Sequence, residues 1–358
     1  MQITNLFKKI FFSFFSIFFI ITSAQALSLH KTSVILDAPW GMTWLDDNHL
    51  LITQKSGEIF KVNTQDYSQT PIKHNIPSVQ YGQGGMLDII SEENNVWVTC
   101  SIEKDGKHTT AIYHAELSGD SLINEKKIYE ALPYIKSPYH FGSRLELKGD
   151  YLYASIGERG EGMIAQDPTN SIGTIIRIHK NGDIPNDNPY VDNPNWLPEI
   201  YQIGIRNVQG MCLSPFNNEV YMTNHGARGG DWFGKVYKGG NYGWDKLYWG
   251  GTKYSGLPGG PEWLPGYDRP IKYYVPSIAT SACLIYKGNE FKEWNGEAIV
   301  ASLRHQSLRR LKFKDDEFLS EEIIFKDEIG RIRDVKQEQD GKILMLNDQG
   351  ELWRMSKN

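Results

Sequence analysis

Cysteine is scarce in this chain of 358 residues, which carries only Cys100, Cys212 and Cys283. Three residues so widely spaced exclude the disulfide framework that holds small secreted folds together. Each lies in an apolar, strand-like run such as Trp97-Val98-Thr99-Cys100 or Gly210-Met211-Cys212-Leu213, so all three are expected to be buried structural thiols. Stability then has to come from a hydrophobic core. Positive charge is also in deficit, with a formal net charge of −5, and that excludes the basic face a nucleic-acid partner requires. Beyond Ile21 no long apolar run recurs and no segment sustains a helical period, which argues against membrane spans and helical bundles in the body of the chain.

The one long apolar run is at the start. Lys8-Lys9, the Phe-rich stretch from Ile10 to Ile21 and the small-x-small site Ala24-Gln25-Ala26 follow the layout of a secretory signal peptide. The run is shorter than the ~20 residues that span a bilayer. The expectation is a cleaved leader over residues 1–26 and one soluble domain over 27–358, periplasmic or secreted, without stable membrane insertion.

What the chain does have is turn and strand chemistry: 34 Gly, 16 Pro and 12% aromatic residues. A unit of apolar strand, turn, apolar strand, Gly and alternating strand recurs along it. The unit starts near Gly41-Met42-Thr43-Trp44, Gly85-Met86-Leu87-Asp88, Arg144-Leu145-Glu146-Leu147, Gln209-Gly210-Met211-Cys212, Ala282-Cys283-Leu284-Ile285 and Arg333-Asp334-Val335-Lys336. Period-2 alternation bounded by Gly, Asn and Asp is strand patterning. Six such repeats of ~40 to 50 residues predict an all-β, six-bladed propeller of four-stranded antiparallel blades, its ring closed by Ser33-Val34-Ile35-Leu36. The longer insertions from Asp183 to Pro198 and Lys246 to Pro276 are expected as rim loops at the mouth that builds the site.

Polar residues interrupt the pattern where innermost strands begin. Gln83 sits among glycines in Tyr81-Gly82-Gln83-Gly84-Gly85, His140 precedes Phe141-Gly142, and Arg206, Asn207 and Gln209 open the fourth unit. Arg304 ends the strand Ala298-Ile299-Val300-Ala301-Ser302-Leu303, while Arg331 and Arg333 open the sixth unit. Any one arginine could form an ordinary surface salt bridge. Several at corresponding blade positions predict a channel that binds an anion, because guanidinium stays charged when desolvated and pairs bidentately with carboxylate or phosphate. His140 is either a hydrogen-bonded structural histidine or a base that works near neutral pH.

These residues carry a family resemblance. Gly82-Gln83-Gly84-Gly85, His140-Phe141-Gly142-x-Arg144, Ala165-Gln166-Asp167 with Gly173-x-x-x-Arg177-Ile178, Arg206-Asn207-x-Gln209-Gly210, His225-Gly226-x-Arg228-Gly229-Gly230-Asp231, Gly240-Asn241-Tyr242-Gly243-Trp244 and Arg331-Ile332-Arg333-Asp334-Val335 occur in the order seen in soluble quinoprotein aldose sugar dehydrogenases of the glucose/sorbosone dehydrogenase group. The resemblance spans nearly all of 27–358 and implies a propeller that binds pyrroloquinoline quinone (PQQ) and calcium. It implies oxidation of aldose sugars at the anomeric carbon to aldonolactones, with electrons passed to an external acceptor such as a cytochrome or a quinone. His140 resembles the general base, and Arg206 the residue that stabilises charge on oxygen. Gln83, Arg206, Asn207, Gln209, Tyr254, Arg304, Arg331 and Arg333 resemble cofactor contacts, with Arg304 where the family usually has Lys. The carbonyls of Gly226 and Ala227 resemble calcium ligands, with Ala227 replacing a family Pro. Tyr242 resembles a residue at a second, structural calcium, but Trp232 replaces the Glu that accompanies it, and Trp cannot coordinate the ion. Tyr248, Trp249, Tyr254 and Trp263 serve either sugar stacking or rim packing. The competing functions are a propeller lactonase and a non-catalytic propeller that binds glycan or protein.

Overall fold

The computed structural model describes residues 26–358, so the expected leader lies outside the described residues except for Ala26. Short strands with alternating burial form six sheets arranged around one axis. The first blade runs Pro39–Trp44, His49–Gln54, Ile59–Asn63 and Gln69–Ile72, and the second Met86–Glu92, Asn95–Lys104, Lys107–Ser118 and Ser121–Glu130. The third comprises Gly142–Lys148, Tyr151–Ile156, Thr174–His179 and Ile200–Ile203, the fourth Val208–Leu213, Val220–Asn224, Asp231–Lys235 and Lys272–Tyr274, and the fifth Thr280–Ile285, Ala298–Ser302, Ser307–Lys314 and Glu317–Ile324. The sixth is Ile332–Gln337, Ile343–Asn347 and Glu351–Lys357, completed by Leu27–Ile35 from the other end of the chain. That closing strand pairs antiparallel with the last one, from Leu27 opposite Lys357 to Ile35 opposite Glu351. The ring therefore closes as the repeats predict. The third blade departs from four strands because Gly240–Asn241 adds a parallel edge beside Gln202 and Ile203.

Each pair of neighbouring blades buries its own apolar cluster, so every sheet is covered on both faces. Leu51, Ile59, Met86 and Val98 join the first blade to the second, and Ile299, Leu308, Val335 and Met345 join the fifth to the sixth. Val34, Leu344, Leu50 and Val62 seal the join between the last blade and the first. The first strand of each blade lies innermost and touches its two neighbours around the axis.

On the axis the channel is plugged by Arg144, 3% exposed, which pairs with Asp88 at 3.0 Å and Asp334 at 3.2 Å. Arg144 also donates to the carbonyls of Gln209 and Arg333. Burying such a charge is tolerable only because partners from three other blades satisfy it.

The cysteine expectation needs correction. Cys100 is a buried thiol whose pKa burial pushes up to about 12. Cys212 and Cys283 instead form a disulfide with their Cα atoms 5.9 Å apart, a normal span for the bond. They occupy the innermost strands of the fourth and fifth blades, which lie side by side, so a sequence separation of 71 becomes a direct contact. The two insertions also differ. Residues 183–198 fold onto the outer edge of the third blade, with Tyr190 stacked on Trp196 at 3.7 Å and Asn188 bonded to the carbonyls of Arg177 and Pro198. Only the second insertion, 246–276, reaches the mouth.

Candidate active site

Two cavities sharing Gln83 open along the axis above Arg144, an outer mouth of about 570 Å³ and an inner chamber of about 180 Å³. His140 lies in the mouth, on the loop entering the third blade. Its backbone has φ 50°, an uncommon conformation for a residue with a side chain and one that costs about 1–3 kcal/mol. Neighbouring groups hold it there. Gln83 Oε1 accepts from the His140 N–H at 2.9 Å, Asn207 Oδ1 accepts from the Gly142 N–H at 3.1 Å, and the His140 carbonyl lies against Gly157, where a Cβ would stand 2.0 Å from it. Three blades thus fix one imidazole.

The imidazole's partner is Glu158, on the turn between the second and third strands of the same blade. A carboxylate can only accept, so Nδ1 carries the proton and Nε2 keeps its lone pair. Burial holds the His140 pKa below the ordinary imidazole value, against the raising effect of Glu158 and with help from the positive charge of Arg206. Glu158 itself stays ionised. Burial would raise its pKa, but the hydrogen bond to His140, the N–H of Gly162 and Arg206 more than offset that. A neutral, tautomer-fixed imidazole in a cavity is equipped to take a proton.

Arg206 and Asn207 begin the fourth blade, and Asn224 Oδ1 accepts from both of their backbone N–H groups, at 3.1 and 2.8 Å. The Arg206 guanidinium faces the mouth, 5.2 Å from the Trp244 ring and 3.4 Å from the Tyr254 hydroxyl. Arg206, Tyr254 and His140 therefore line one cavity, together with Trp244, Asp245, Tyr248 and Lys253.

The inner chamber has a different character. Trp40, Leu87, Phe141 and Leu303 give it apolar walls, and Gln83, Asn207, Gln209 and His225 give it neutral hydrogen-bonding groups. Its charges are Lys55, Arg331 and Arg333. Asp348 accepts from the Nε of both arginines at 2.8 Å, and Gln209 Oε1 accepts from Arg333 Nη1 at 3.0 Å. His225 is neutral because burial lowers its pKa to about 4. A flat polyanion matches this combination of apolar faces and cationic edge.

Two expected metal regions look unlike each other. The Gly226–Ala227 turn is held by Asp231, which accepts from the Gly226 N–H at 2.7 Å, while no hydrogen bond among the described residues uses the carbonyl oxygen of Gly226 or Ala227. Free carbonyls suit a hard cation such as calcium. Ala227 lines the mouth. Tyr242, by contrast, is buried with its ring 4.2 Å from Trp232, and its hydroxyl donates to the Lys235 carbonyl. That pair is an aromatic core contact and offers no carboxylate. No group of three or more His, Cys, Asp or Glu side chains suited to a metal occurs among the described residues.

The candidates from the sequence thus fall in three places. His140, Arg206 and Tyr254 are in the mouth, Asn207, Gln209, Arg331 and Arg333 are in the chamber, and Gln83 joins the two. Arg304 is exposed and lines neither. Leu303, the residue before it, lines the chamber. Of the four aromatic residues weighed for sugar stacking, Tyr248 and Tyr254 line the mouth, whereas Trp249 is buried in the core and Trp263 packs against that core. Sequence reasoning missed Glu158, Lys55, Trp40 and Asp348. Three of these carried a signal, because Lys55, Glu158 and Asp348 fall in the same turn of the first, third and sixth units, between the second and third strands.

Comparison with known proteins adds independent findings. Residues 36–354 match the family profile described as Glucose / Sorbosone dehydrogenase. The aldose sugar dehydrogenase YliI of Escherichia coli is 33% identical over 337 residues, covering 90% of each chain. The quinoprotein glucose dehydrogenase B of Acinetobacter calcoaceticus is 25% identical, over 75% of this chain and 62% of that one. The crystal structure of the soluble E. coli aldose sugar dehydrogenase in its apo form superposes with a TM-score of 0.88 at 30% identity, covering 93% of this chain and all of that one.

Proposed function

Because the chain belongs to the glucose/sorbosone dehydrogenase family, we propose that it is an exported, PQQ- and calcium-dependent dehydrogenase that oxidises the anomeric carbon of aldoses to aldonolactones and passes the electrons to an external acceptor. The observation that carries this reading is the neutral His140, its Nδ1 bound to Glu158 and its Nε2 free, directly above a cationic chamber. The Acinetobacter relative is a quinoprotein, and PQQ, a planar tricarboxylate, matches the chamber's apolar walls and its arginines. Arg331 and Arg333 would hold its carboxylates, with Gln83, Asn207 and Gln209 as neutral contacts and Arg206 and Tyr254 at the end nearest the mouth. When bound, PQQ supplies a two-electron acceptor for the hydride leaving the anomeric carbon, and calcium on the Gly226 and Ala227 carbonyls supplies Lewis acidity.

The chain's own residues perform the proton and charge work. His140 Nε2 takes the proton of the anomeric hydroxyl as the C–H bond gives up its hydride and the C=O of the lactone forms. Glu158 keeps the proton on Nδ1 and stabilises the imidazolium that results. Arg206 lies across the mouth, where it stabilises negative charge developing on oxygen. The aromatic residues Trp244, Tyr248 and Tyr254 exclude water and offer faces to the sugar.

Export is supported by the leader-like residues and by the Cys212–Cys283 disulfide, which belongs in an oxidising compartment. Among the described residues no helix is long and apolar enough to cross a membrane. A lactonase would need channel carboxylates free for a metal, but Asp88 and Asp334 are engaged by Arg144, Asp348 by two arginines and Glu158 by His140. Reconstitution of the protein with PQQ and calcium, followed by dye reduction with a panel of aldoses, tests the proposal. Aldose-dependent reduction that requires both additions is expected, and absence of PQQ binding and turnover would overturn it.

A further inference from the structure

We infer that Lys55, on the first blade, is the third cation that holds the anionic cofactor in the inner chamber, in the role the sequence pattern gives to Arg304 on the fifth. The inference rests on the PQQ reading above and adds a residue outside every motif that supports it.

Charge placement is the first ground. Arg331 and Arg333 share Asp348, so this trio carries one net positive charge. Lys55 lines the same chamber, and its Nζ donates to the Gly82 carbonyl at 3.0 Å, with no carboxylate within ion-pair distance among the described residues. Lys55 therefore adds a second, unpaired positive charge to the chamber wall beside that trio. Burial lowers the Lys55 pKa, the charge of Arg333 lowers it further, and Asp348 only partly offsets them. A half-buried ammonium facing other cations is relieved when an anion arrives.

Preorganisation is the second ground. Lys55 sits in the turn between His49–Gln54 and Ile59–Asn63, where its N–H donates to the Ala38 carbonyl at 3.1 Å and its carbonyl accepts from the Met86 N–H at 3.2 Å. Gly85, at φ 148°, lies so close that a Cβ would stand 2.3 Å from the Lys55 carbonyl oxygen. The turn is therefore locked to the glycine loop carrying Gln83, which joins chamber and mouth. Arg304 has no comparable placement. It is exposed, and its backbone N–H donates to the Ile278 carbonyl at 3.0 Å.

PQQ titration of the full-length apoprotein in the presence of calcium, followed by absorbance or calorimetry, separates the two residues. Lys55→Met keeps the aliphatic stem and removes the charge, and its Kd for PQQ is expected to rise roughly 10- to 100-fold, the range for a lost charge-assisted contact. Lys55→Arg should recover most of the affinity, and Arg304→Gln should stay within about twofold of the parent. Thermal unfolding of the Lys55→Met apoprotein at or above the parent midpoint is expected, because the change removes an uncompensated charge. Lys55→Met that binds PQQ like the parent, or Arg304→Gln that loses more affinity than Lys55→Met, overturns the assignment while leaving the cofactor reading intact. If the parent itself binds no PQQ, the cofactor reading falls and the assignment falls with it.

Discussion

The mouth and the inner chamber share Gln83, yet they are built on opposite electrostatic plans. In the mouth the reactive charges are matched, with Glu158 holding His140 and Arg206 lying against Trp244 and Tyr254. In the chamber cations outnumber carboxylates, and Asp348 serves to aim two arginines. Matched groups keep a base neutral and oriented, which chemistry requires, whereas an uncompensated excess stores attraction for an anion, which binding requires. Changes at His140 and Glu158 should therefore alter turnover and spare cofactor affinity, and changes at the chamber's cations should do the reverse.

The largest effect is expected from His140→Ala. Loss of a positioned base typically costs 10²–10⁴-fold, so kcat should fall by about three orders of magnitude while the Kd for PQQ stays within about twofold. Stopped-flow reduction of the reconstituted enzyme together with PQQ titration checks both. A variant that lost PQQ binding as well would erase the division between mouth and chamber.

Glu158→Gln is expected to be milder, lowering kcat about 10- to 100-fold by analogy with other groups that orient a catalytic or metal-bound imidazole. It also carries a pH signature. The base works unprotonated, so the rate rises as pH rises through the His140 pKa. Glu158 raises that pKa; without its charge the acidic limb of the pH–rate profile should move to lower pH even as the plateau drops. An unchanged limb would mean that Glu158 does not act through His140.

This pair also shows how much of the molecule was legible in the sequence. Strand alternation and the glycine-bounded turns revealed the six blades, and polar residues at the entries to innermost strands revealed His140, Arg206 and Gln209, because a side chain breaking an apolar strand at a channel must face the axis. The pairing of Glu158 with His140 was hidden because the carboxylate lies on a turn 18 residues further on and meets the imidazole only after the third blade folds. Arg304 stands in the turn after its strand, and there it is the preceding Leu303 that lines the chamber. The disulfide was legible in principle. Cys212 and Cys283 occur late in the first strands of consecutive units, so aligning the repeats on each other would have put the two thiols together.

A smaller effect is expected at Asp245, on the wall of the mouth. Its Oδ1 is buried without a hydrogen-bond partner, and burial raises its pKa. Its Oδ2 faces Gly162, where a Cβ would stand 2.6 Å away. Tyr248 is its one side-chain donor, so this carboxylate beside a sugar-sized cavity keeps capacity to accept from a substrate hydroxyl. Asp245→Asn keeps the shape and removes the charge, so the KM for the best aldose should rise roughly tenfold, the lower end for a hydrogen bond to a charged group, with kcat little changed. Calorimetric binding of 1,5-anhydroglucitol, which lacks the anomeric hydroxyl, separates sugar affinity from turnover, and equal affinity in both proteins would remove Asp245 from the sugar site.

The smallest effect on activity is expected from the disulfide, and its smallness is informative. Cys212 and Cys283 join the fourth and fifth blades away from both cavities and close a loop with a sequence separation of 71. A native crosslink of this kind contributes about 2–4 kcal/mol by restricting the unfolded chain. Cys283→Ser should therefore lower the thermal midpoint by several degrees, and the reduced parent should match it. Turnover and PQQ affinity at 25 °C should stay within about twofold, because His140, Arg206, Arg331 and Arg333 are positioned by hydrogen bonds that do not pass through either sulfur. If the variant instead lost PQQ affinity in proportion to its stability, the chamber would depend on how tightly the ring is closed, and the separation between a binding chamber and a reactive mouth would have to include the blade interfaces that hold them in register.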